Sequence, residues 1–163
     1  MRGELGNLSG SFFQRRAGNF AGRVARRDFH LRQTSLVHHA DQVEDSILKQ
    51  MLDDAAEDAS RNFNEDQAAQ IEQADAVIAG KAPDGTTAYL LVEASITIVK
   101  GDVDRARNRA ELLNHAVGTT THALVIGESI TGEAAAQAKD TGVAFAAFTP
   151  RRTPAQDPGS VCL

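Results

Sequence analysis

The chain has 163 residues, 42% of them hydrophobic and 24% charged, an ordinary composition for a water-soluble domain with a sizeable core; no apolar run is long enough to cross a bilayer. A single cysteine, Cys162, excludes an internal disulfide, and no Cys/His cluster has zinc spacing, since His38-His39 has no nearby Cys to complete a site. The net charge of −5 is unevenly spread, with a net of +5 over residues 1–32 and −9 over residues 41–75.

Residues 4–16 have helical spacing, with Leu5, Leu8, Phe12 and Phe13 on one stripe. Gly18-Asn19 punctuates, and Phe20 to Arg26 adds a further turn or two. Weak alternation from Arg27 to Val37 suggests a strand. Asp41-Gln-Val-Glu44 is a capping box, and behind it Val43, Ile47, Leu48, Met51, Leu52, Ala55, Ala56 and Ala59 hold a helical period. Asn64-Glu-Asp-Gln67 is a second capping box, with Phe63 as its hydrophobic staple, opening a short helix that ends near Gln73. The basic N-terminal segment can be a nucleic-acid contact or can dock on these acidic helices, and internal compensation is the expected use.

Ala74 to Lys100 reads as two strands about a tight turn. Ala82-Pro-Asp-Gly85 carries Pro at the second turn position and Gly at the fourth, the signature of a type I turn. Folded about Asp84, the hairpin sets position 75 opposite position 93, which pairs Asp75 with Glu93. Alternation places Leu90, Val92, Ala94, Ile96 and Ile98 on an apolar row, and Tyr89, Leu91, Glu93, Ser95 and Thr97 on a row that turns polar. Directly opposed carboxylates would have Cβ atoms roughly 4.5–5.5 Å apart and would repel. Three circumstances permit that: a face open to water, a shared proton, or a divalent cation neutralising both.

Gly101-Asp102 then breaks the strand and caps a helix from Val103 to Val117, closed by Gly118. Ala123 to Ile126 is a buried strand, Thr131 to Asp140 a small helix closed by Gly142, and Val143 to Phe148 a last strand with Phe145 and Phe148 in the core. The Pro-rich stretch 149–163 reads as a disordered tail following a single domain over 1–148, into which 41–73 is inserted as an acidic helical pair. The order predicts an α/β fold with a mixed central sheet flanked by helices.

Ala74-Asp75-Ala-Val-Ile, Leu91-Val-Glu93-Ala-Ser95, Asp102-Val-Asp-Arg105-Ala and Arg109-Ala-Glu-Leu-Leu113 together resemble the PD-(D/E)XK nuclease superfamily, whose restriction-endonuclease-like core runs α-β-β-β-α-β. The likeness is closest to nuclease-like domains in which a Glu-x-Ser strand runs into an Asp-Val-x-Arg-Ala helix. It implies Asp75 and Glu93 as ligands of Mg²⁺ or Mn²⁺ with help from the Ala94 carbonyl, nucleic acid as the partner, and Arg105 or Arg109 on the scissile phosphate. Ala74 stands where the name-giving Pro would be, and Ser95 where the catalytic Lys would be. Ser is neutral, so a cation must come from Lys100, Arg105 or Arg109, and alternation turns Lys100 away from Glu93. Ser11 and Gln14 occupy the region where many such nucleases place a first-helix Glu. The expectation is therefore a cytoplasmic, metal-dependent nuclease without membrane attachment. The alternative is an inactive nuclease-fold module that binds nucleic acid or protein, or forms a homodimer. A nucleotide-binding domain lacks its glycine-rich phosphate loop. His115 and His122 read as surface or satisfied positions.

Overall fold

A computed structural model describes residues 16–40 and 46–149. Most of the first predicted helix with Ser11 and Gln14, the capping box at 41–44, and Cys162 with nearly all of the predicted tail lie outside these residues.

The first described element, α1, covers residues 16–28. It runs through Gly18-Asn19, where the sequence suggested a break. Ala17, Ala21, Val24 and Ala25 form a fully buried stripe of small side chains, and packing along it outweighs the roughly 1 kcal/mol that a helical glycine costs. The strand β1 (Arg32–His39) follows, then α2 (Ile47–Glu57), a 3₁₀ turn (Ala59–Arg61) and α3 (Glu65–Glu72). The Asn64 box forms as expected: Asn64 Oδ1 accepts from Gln67 N at 2.9 Å, and Gln67 Oε1 accepts from Asn64 N at 3.0 Å.

The hairpin β2 (Ala76–Lys81) and β3 (Thr87–Ala94) closes through the expected turn, in which Gly85 N donates to Ala82 O at 2.8 Å. Its register runs from Ala76↔Val92 to Lys81↔Thr87, the pairing obtained by folding about Asp84. Beyond it come β4 (Thr97–Ile98), α4 (Lys100–Val117), β5 (Thr121–Gly127), β6 (Ser129–Ile130), α5 (Gly132–Thr141) and β7 (Ala144–Ala147). The main sheet has the order β1-β2-β3-β5-β7, antiparallel across its first three strands and parallel from β3 to β7. This is the expected mixed α/β architecture.

Both faces are covered. Leu90, Val92, Leu124 and Ile126 pack with the α1 stripe, while Tyr89, Leu91 and Val125 pack with α2, α3, α4 and α5. The expected docking of the basic N-terminal segment on the acidic helices therefore fails for α1. The sheet lies between α1 and the pair α2–α3, because α1 buries its small-residue stripe against the opposite face.

The apolar row also ends earlier than alternation suggested. β3 stops at Ala94, the chain bends, and Ile98 enters the core beneath α4 while Ile96 is exposed. The cause is a close crossing. β4 pairs with β6, and a Cβ on Gly127 would lie 2.6 Å from the Ser95 carbonyl oxygen and 2.8 Å from Ile98 Cγ1, so only glycine fits between them. The cap of α4 differs in consequence: Asp102 Oδ2 accepts from Val99 N at 2.9 Å, and Gly101 lies inside the first turn. Phe145, expected in the core, is exposed on the edge strand β7, while Phe148 stacks on Phe20 at 5.0 Å.

Candidate functional site

Asp75 sits one residue before β2, yet its backbone is already held in the sheet. Its N–H donates to Val92 O at 3.1 Å, and its carbonyl accepts from Ala40 N at 3.1 Å. Glu93 lies in the last turn-free stretch of β3, opposite Val125 of β5. Both follow the alternation of Leu91 and so point toward α4. The two carboxyl groups interact directly there. Asp75 Oδ2 also accepts from Ala94 N at 2.7 Å. Glu93 is 5% exposed, so the open, solvated face that would have made the pair cheap is excluded.

A buried pair of like charges needs a counter-charge, and α4 supplies it. Arg109 donates from Nη1 to Glu93 Oε1. Its outer side reaches Gln73 at the end of α3, with Nη1 3.5 Å from the carbonyl oxygen and Nη2 3.2 Å from Oε1. The buried stripe of α4 runs through Val103, Ala106, Ala110 and Leu113, and position 109 lies on its flank. That spacing sets Arg109 at the edge of the buried face, and the way α4 lies across the sheet turns it inward. Sequence reasoning considered water, a proton or a metal ion as the neutralising agent and missed an internal guanidinium.

Electrostatically the site is unsettled. Burial first, then the Asp75 charge beside it, push the Glu93 carboxyl up to about 7, and Arg109 only partly offsets them. Burial raises Asp75 as well, opposed chiefly by the hydrogen bond from Ala94 N, then by Glu93, Arg109 and His39. Two carboxyls and one guanidinium leave room for one further positive charge, met either by a proton or by a cation.

The other predicted residues fall in different places. Arg105 pairs with Asp102 within α4 and has a half-exposed side chain. Lys100 is exposed in the first turn. Ser95 lies past the end of β3, and its hydroxyl donates to Thr97 O at 3.1 Å rather than to either carboxylate. Two histidines border the site. The His39 ring packs beside Gly18 of α1, and His38 is 2% exposed with Nε2 2.9 Å from Glu72 O. Burial lowers the His38 pKa and favours its neutral form.

Among the described residues no three His, Cys, Asp or Glu side chains converge to enclose a metal ion. A two-carboxylate site still suits Mg²⁺, which keeps several waters and is commonly held by one or two carboxylates with substrate phosphates. The donor set Asp75, Glu93 and the Ala94 carbonyl fits that chemistry. A cavity of about 790 Å³ lies elsewhere, at the turn end of the hairpin between Arg26, Leu31, Arg32, Lys81 and Pro83.

No family model and no curated protein matches this chain. Among solved structures, a repair endonuclease from Pyrococcus abyssi superposes with a TM-score of 0.40 at 18% identity, over 47% of this chain and 34% of that one. EndoMS in its apo form gives 0.39 at 18% identity, over 47% and 33%. The EndoMS–dsDNA complex gives 0.45 at 12% identity, over 82% and 44%. The chain thus spans less than half the length of each of these proteins.

Proposed function

We propose that this chain is a divergent nuclease of the PD-(D/E)XK type, with Asp75 and Glu93 as its divalent-cation ligands and nucleic acid as its substrate. One observation carries the reading: two carboxyl groups, that of Glu93 buried and that of Asp75 half-buried, are brought together at one end of the sheet, against their mutual repulsion. A bound Mg²⁺ or Mn²⁺ would supply Lewis-acid neutralisation of a phosphodiester and a water of lowered pKa. The chain's own contribution is positional. The β2–β3 register aligns the carboxyls, the Ala94 N–H orients Asp75, and Arg109 brings a guanidinium to where a phosphate oxygen would approach. Ser95 supplies no charge, so Arg109 takes over the electrostatic part of the absent Lys, with the more exposed Arg105 as an outer phosphate contact.

The test has two parts. Millimolar Mn²⁺ should raise the melting temperature of the wild type and leave Asp75→Asn unmoved. Mn²⁺-dependent cleavage of DNA or RNA should disappear in Glu93→Gln; cleavage that survives this change does not come from this site.

A second reading has its own observation. Arg109 already neutralises Glu93 without any metal ion, as it would in an inactive nuclease-fold module that binds nucleic acid or protein, or dimerises. Nucleic-acid binding without cleavage, and with no thermal response to Mn²⁺, selects that reading. In either case, replacing Arg105 and Arg109 together should flatten the salt dependence of nucleic-acid binding.

A further inference from the structure

We infer that Arg109 and a divalent cation exclude one another at Glu93, so that Arg109 is an exchangeable internal counter-ion that must leave the carboxylate before the cation is held. The inference rests on the metal-binding reading above and adds how that site is controlled.

The guanidinium engages the same carboxylate that would hold the cation, and it does so from inside, with a side chain only 13% exposed. A cation bound between Asp75 and Glu93 would lie within a few ångströms of it. Two positive centres at that separation beside a buried carboxylate repel strongly, and one must give way. Arg109 has somewhere to go. Its outer contacts, the Gln73 carbonyl and Oε1, belong to an exposed residue at the end of α3. Moving outward along Gln73 exchanges one acceptor for others and carries the guanidinium to the exposed end of α3. The cation-free protein thereby keeps Glu93 paired, and cation entry presents a freed guanidinium to an incoming anion. A proton cannot serve the same purpose, because it would remove the charge that the cation needs.

The test is a Mn²⁺ titration by calorimetry on wild type, Arg109→Gln and Arg109→Lys. Exclusion predicts that Arg109→Gln binds Mn²⁺ at least roughly tenfold tighter than wild type, with Arg109→Lys between them, and that adding Glu93→Gln abolishes binding. Equal or weaker binding by Arg109→Gln overturns the exclusion while leaving the metal site standing. No binding at millimolar Mn²⁺ by any of the three overturns both. Should Arg109→Gln fail to fold, the wild type decides alone. The Arg109 Nη1–H signal in NMR should lose its protection from solvent exchange on saturation with Mg²⁺, and a signal that stays protected refutes the exchange.

Discussion

The two ends of β2 pose the same electrostatic problem and solve it differently. At its start, Asp75 meets Glu93 of β3; at its end, Lys81 pairs directly with Arg32 of β1. Both are like-charge cross-strand pairs. Arg32 and Lys81 are exposed beside a wide cavity and form no ion pair among the described residues, because water screens them. Glu93 is buried and Asp75 half-buried under α3 and α4, and Glu93 recruits Arg109. Burial, rather than charge pattern, decides whether such a pair needs a partner, and a buried pair with incomplete neutralisation is a place for chemistry.

The sharpest way to break this comparison is to remove the partner at the buried end. Arg109→Met should lower the unfolding free energy by about 3–5 kcal/mol at pH 8, as measured in urea, because two carboxylates lose their counter-ion. The loss should shrink at pH 5, where Glu93 takes a proton. The next largest effect disturbs the geometry without touching charge. Gly127→Ala sets a methyl 2.6 Å from the Ser95 carbonyl oxygen and should cost about 1–3 kcal/mol, with Arg109 still in place.

The pH response separates the two ends further. A Glu93 carboxyl raised from 4.5 to about 7 binds its proton more tightly in the folded than in the unfolded chain. Its contribution is therefore complete below pH 4.5 and is lost as pH rises through about 7. In chelator, Glu93→Gln should flatten the wild-type decline across that window, and an unchanged profile would show that Glu93 ionises normally. The smallest effect lies at the exposed end. Lys81→Ala should change stability by no more than about 0.5 kcal/mol, slightly favourably at low salt and not at all at high salt.

Local chemistry made much of this legible beforehand. Pro83 and Gly85 specify the turn, the turn specifies the register, and the register sets Asp75 against Glu93. Asn64 and Thr131 announce their helices by the same kind of short-range hydrogen bond. What stayed hidden depended on residues far apart in the chain. The end of β3 at Ala94 follows from the approach of Gly127, over thirty residues later, and α1 runs through Gly18 because the sheet receives its alanine stripe. Arg109 was noticed as a cation near the acids, but its inward direction depends on how α4 lies across the sheet.

The amino-acid order alone thus determined the mixed α/β class, the hairpin register and the meeting of two acids, because turns, caps and alternation act over a few residues. Only the tertiary structure decided that Glu93 is buried and Asp75 half-buried, that their counter-ion is an arginine from another element, and that the basic helix and the acidic helices occupy opposite faces. Desolvation and the direction of a side chain are properties of packed layers, and no stretch of sequence carries them by itself.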